Sequence, residues 1–70
     1  MASNSPTQHD AFDLARRAVE HAASDGGQIA ATAAAKDIRR QLPSVELTTA
    51  ELENEIVRHA VRKGVVVQLG

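Results

Sequence analysis

The chain reads as an all-α fold, a compact three-helix bundle followed by a short extended C-terminal tail of β character, on three observations. Apolar residues recur at helical spacing through most of its length. Glycine or proline breaks that pattern at Gly26-Gly27, Pro43 and Gly64. After the last of these the residue types change abruptly to Val65-Val66-Val67-Gln68-Leu69-Gly70, a β-branched run poorly suited to a helix. The expected organisation is a disordered lead over 1–5, a helical domain over 6–64 and the tail over 65–70.

For the first helix, Ser5 can cap, Pro6 suits the first helical position, and Gln8 stands where a capping box needs an acceptor, so the sequence predicts a helix over 6–24. Ala11, Phe12, Leu14, Ala15, Ala18, Val19, Ala22 and Ala23 fall on one half of the cylinder. His9, Asp10, Asp13, Arg16, Arg17, Glu20 and His21 fall on the other, which gives one buried and one solvated face. Asp13 and Arg17 are spaced for a surface ion pair.

Asp25-Gly26-Gly27 supplies the positive φ that a helix stop and reversal need. A second helix is expected over 28–42, ending where Pro43 forces Leu42 out of the helical region. Ala31, Ala34, Ala35, Ile38 and Leu42 form its apolar stripe, and the alanines permit close approach of a neighbouring helix. Gln28, Thr32, Lys36, Arg39 and Arg40 gather opposite.

The third helix, over 49–63, carries the fullest set of local signals. Thr48 can cap the first turn while Glu51 reaches back to the cap amide, and Leu47 can close over Leu52 as a staple. Arg62 and Lys63 sit where the helix dipole favours cations, and Gly64 supplies a left-handed stop. Its apolar arc, Leu52, Ile56, Val57, Ala60 and Val61, is wider than one neighbour needs. Glu53 projects into that arc and invites the question of whether it is a buried, perturbed carboxylate. Because no other segment reads as a strand, the tail is expected to lie over the chain's own helices, pair with its copy in a dimer, or add to a foreign sheet.

Composition bounds the function. Seventy residues make one small domain with a formal charge of −1 and no cysteine, so disulfides and thiolate metal sites are excluded. No apolar run is long enough to span a bilayer and the first residues do not read as a signal peptide, so the expected location is cytoplasmic, with no membrane contact. The three histidines include two spaced pairs, His9 with Asp13 and Glu55 with His59. No further ligand joins either in sequence, so neither a metal nor any other cofactor is expected. No nucleophile with a neighbouring base and no phosphate-binding glycine loop is found, so an enzyme is not expected.

The leading expectation is a non-enzymatic protein-interaction or regulatory module, its partner another protein or a second copy in a homodimer. The candidate partner-binding residues are Ile56, Val57, Ala60, Val61, Val65, Val66, Val67 and Leu69. The alternative is a small helix-turn-helix-like DNA-binding regulator using Lys36, Arg39, Arg40, Arg58, Arg62 and Lys63. Nucleic acid is disfavoured for two reasons. The 43–47 connection exceeds the usual three- to four-residue turn, and the half of the third helix that would meet bases carries Glu51, Glu53 and Glu55.

Overall fold

A computed structural model describes residues 7–68. Their elements run α1 (Gln8–Ser24), β1 (Gln28–Ala30), α2 (Ala31–Gln41), α3 (Thr49–Lys63) and β2 (Val66–Gln68). The chain is mostly helical, as expected, but it is not all-α. β1 and β2 form a parallel two-stranded sheet in the register Gln28↔Val66, Ile29↔Val67 and Ala30↔Gln68. Parallel strands need a long crossover, and here α2, the following loop and α3 supply it.

The expected disordered lead, together with Leu69, lies outside the described residues. The first helix begins later than its sequence suggests, because Thr7 rather than Ser5 is the cap. Asp10 N–H donates to Thr7 Oγ1 at 3.3 Å and Thr7 N–H donates to Asp10 Oδ2 at 2.8 Å, a reciprocal box that holds Thr7 in extended backbone. At the other end Gly26 and Gly27 take φ of 93° and 75°. Gly27 N–H reaches back to the Ala22 carbonyl at 2.8 Å.

The largest departure concerns residues 28–30, expected to open the second helix. They form β1, and α2 starts at Ala31 with no side-chain cap on its first turn. The physical reason is Ile29, which alternates inward and is buried, while the strand backbone is engaged by the tail. Val66 N–H donates to the Gly27 carbonyl at 2.8 Å, and the Gln68 and Gln28 amides meet across the strands. The tail therefore has an intrachain partner, which corrects the expectation that no segment could pair with it.

By contrast α3 matches its expected limits residue for residue. Glu51 N–H donates to Thr48 Oγ1 at 3.1 Å and Thr48 N–H donates to Glu51 Oε1 at 3.0 Å. The staple residues Leu47 and Leu52 are both buried. Gly64 closes the helix at φ 73°, with Val65 N–H on the Ala60 carbonyl at 2.8 Å and Gly64 N–H on that of Val61 at 3.4 Å. This is the paired bonding of a Schellman stop, and its buried Val65 and Ala60 make the accompanying apolar contact positions. A Cβ at Gly64 would meet nothing within 4 Å, so the cost of Gly64→Ala is one of backbone conformation alone. We expect about 1 kcal/mol of destabilisation, read as a lower urea midpoint at unchanged slope.

α3 is packed by both other helices. Its Leu52, Ile56 and Ala60 meet Ala11, Ala15, Val19 and Ala22 from α1 and Ala31, Ala35 and Ile38 from α2 in one buried cluster, joined by Ile29, Leu47 and Val65. Phe12, Leu14, Ala18, Ala34, Leu42, Val45 and Val67 pack around it, half-buried. Among the described residues no polar or charged side chain is buried.

Candidate functional site

The over-wide arc of α3 divides into two faces. Ile56 and Ala60 are fully buried and Val65 nearly so, so these three of the expected partner-binding residues fill the chain's own core. Val67 is half-buried on the inner side of β2. Val57, Val61 and Val66 remain open to solvent at 36%, 74% and 59% exposure.

On α3 the two open valines belong to a longer series. Ala50, Asn54, Val57 and Val61 are all exposed, and their spacing of four, three and four residues is that of a coiled-coil seam. No charged residue interrupts it. A solvated outward face ordinarily carries charge, and here the charges stand to the side: Glu51 and Arg58 lie seven residues apart along one flank, exposed. Glu51, Glu53 and Glu55 occupy the first half of the helix and Arg58, Arg62 and Lys63 the second. In the sequence Val57 and Val61 fall in one arc with Leu52, Ile56 and Ala60, while Ala50 and Asn54 do not stand out because alanine and asparagine give weak contrast. The stripe's signal was the heptad spacing.

The basic candidates do not assemble into one patch. Arg39 donates a guanidinium hydrogen bond to the Leu47 carbonyl, partly buried, and ties α2 to the loop that enters α3. Arg40 is paired with Asp37 at 2.5 Å and Arg58 with Glu55 at 3.7 Å. Lys36, Arg62 and Lys63 are exposed. Arg39 and Arg40 stand near the start of α3 and Arg62 and Lys63 at its end, separated by a helix length of about 20 Å. Glu53 is only partly buried, so it is not the enclosed carboxylate that would mark a reactive site.

The two histidine pairs meet across α1 and α3. His9, Phe12, Asp13 and Arg16 face Glu55 and His59 around an open cleft of about 340 Å³. His59 Nε2 lies 3.2 Å from Glu55 Oε2. Arg17 Nε lies 3.1 Å from Asp13 Oδ2, the expected surface pair. Arg16 also donates to Asp13 and, with smaller help from the charges of Arg17, Arg16 itself and His9, holds that carboxyl below the ordinary aspartate range against a weaker opposing effect of desolvation. Among the described residues no group of histidine and carboxylate side chains could hold a metal ion, and no helix is long and apolar enough to cross a membrane.

These features define a small α-helical domain with a two-stranded parallel sheet and an uncharged outer seam on its central helix. No family model, curated protein or solved structure matches the chain.

Proposed function

We propose that the chain is a non-enzymatic protein-interaction or regulatory module of the cytoplasm that meets its partner through the outward face of α3. The observation that carries the reading is the exposed, uncharged stripe Ala50, Asn54, Val57 and Val61. Single exposed apolar residues are ordinary on a protein surface, whereas a continuous row of uncharged positions with charges confined to its flank suits a helix-on-helix contact. The cysteine-free composition suits a reducing compartment. Val66 is also exposed. One edge of its strand pairs with β1, so the tail contributes to folding, and recognition is assigned to the stripe on α3.

The test is site-specific photocrosslinking in cells, with the reactive residue at position 54 and, as control, at position 17 on the solvated side of α1. The expected result is a discrete adduct from position 54, identified by mass, that Val61→Asp abolishes and position 17 does not give. Equal or absent labelling at the two positions overturns the proposal. Val61 is 74% exposed, so the aspartate variant should stay folded, losing about 1 kcal/mol at most from an anion in the last turn of α3.

A further inference from the structure

Resting on that reading, we infer that the partner of the α3 stripe is a second copy of this chain, docked antiparallel across a two-fold axis. Charge decides the direction. Glu51 is exposed in the first half of α3 and Arg58, Arg62 and Lys63 in the second, while Glu53 is partly buried and Glu55 turns to the cleft against α1. Two copies side by side and parallel would set like charges together and align their helix dipoles. Antiparallel copies set each acidic half against a basic half and oppose the dipoles.

The stripe is self-complementary in the same direction. Its four members are symmetric about the helix midpoint, so an antiparallel copy places small Ala50 opposite Val61 and Asn54 opposite Val57. The two copies of Asn54 then flank the axis, offset by about 4.5 Å along the helices, so the polar members of the stripe meet near its centre and disfavour shifted registers. On the flank, Glu51 comes opposite Arg58 of the second copy, whose exposed 3.7 Å contact with its own Glu55 is loose enough to be exchanged, and the two-fold axis makes that pair twice. The opposite flank is more covered, with Ala60 buried and Glu53 partly buried, so the open flank is the one that carries Glu51 and Arg58. A contact only about four helical turns long buries too little surface for a permanent dimer. Association is therefore weak and reversible, in the micromolar to millimolar range, as suits a switchable module.

Sedimentation equilibrium on the full chain, followed by disulfide trapping, tests the inference. The intact chain should dimerise across that range, Arg58→Glu should weaken the dimer on the order of tenfold, and Glu51→Gln, which keeps an acceptor for the Thr48 N–H but removes the flank charge, should weaken it severalfold while leaving the urea midpoint of the monomer nearly unchanged. The chain has no cysteine, so orientation can be read directly: an equimolar mixture of A50C and V61C, oxidised at a concentration that favours the dimer, should yield mainly the mixed disulfide. A statistical mixture of disulfides, or a predominance of A50C joined to itself, overturns the antiparallel arrangement, and a chain that stays monomeric to near-millimolar concentration overturns the second copy as partner. In that last case a position-54 adduct to a different protein would still leave the interaction module standing.

Discussion

Leu52→Ala should leave most of the population unfolded at room temperature. Leu52 is 1% exposed, among the largest fully buried side chains of the described residues, and sits where both outer helices meet α3. Truncating a leucine so placed costs about 2–5 kcal/mol, the transfer term plus the cavity that remains. A domain of this size holds only about 3–5 kcal/mol in total. The same change removes one half of the staple with Leu47, so the helix entry loosens together with the core. The space beside Leu52 is lined by Ala11, Ile38, Leu42, Val45 and Leu47, and how far the larger of these side chains close over the cavity sets where in that range the cost falls. Far-UV circular dichroism and urea unfolding would read the outcome. A cooperative transition at the parent midpoint would mean that α3 is not the element on which the core is assembled. Val57→Ala on the same helix, at an exposed position, should by comparison move the midpoint little.

Why α3 was legible and β1 was not follows from where the deciding interactions lie. Every signal that bounds α3 is local: Thr48 and Glu51 cap one another, Leu47 closes on Leu52, and Gly64 stops the helix with bonds to Val61 and Ala60. None needs knowledge of the rest of the chain. β1 is the opposite case. Gln28, Ile29 and Ala30 are acceptable in a helix, and only pairing with a segment at the far end of the sequence makes them a strand. The valine run was recognised as β-like, but its partner was hidden by helix-compatible residues. The start of α1 differs for a smaller reason: in sequence Ser5 and Thr7 are candidate caps two residues apart, and Thr7 forms the reciprocal box with Asp10.

The surface was legible only in part. Periodicity placed Val57 and Val61 with Ile56 and Ala60 in one arc, because it cannot say where a helix's neighbours stop. α1 and α2 cover Leu52, Ile56 and Ala60 and leave the positions beyond them open. The basic residues shared a type but not a place. Arg39, Arg40 and Arg58 already have partners within the chain, and Arg39 lies by the entry to α3 while Arg62 and Lys63 lie at its end.

A chain ending at Gly64 should lose about 2–4 kcal/mol. Truncation removes Val65, 6% exposed in the core, and the half-buried Val67, and it uncovers Ile29, 8% exposed. Apolar burial of that extent contributes about 1.5–3 kcal/mol per side chain, offset by the ordering entropy that the tail no longer loses. The ladder with β1 goes with it, together with the hydrogen bonds of Val65 N–H to Ala60, Val66 N–H to Gly27 and the Gln68 amide to Gln28, so both the stop of α3 and the entry to α2 are weakened. The Ile29 amide should lose its protection from hydrogen exchange. The dependence on concentration separates the two fates of the tail: a strand paired within its own chain stabilises the monomer equally at every concentration, whereas a strand paired with a second copy stabilises more as concentration rises. With β1 as the partner, the urea midpoints of the intact and shortened chains should differ by an amount that dilution to concentrations well below dimer formation leaves unchanged. A difference that vanishes on dilution would move the tail from the fold to the interface.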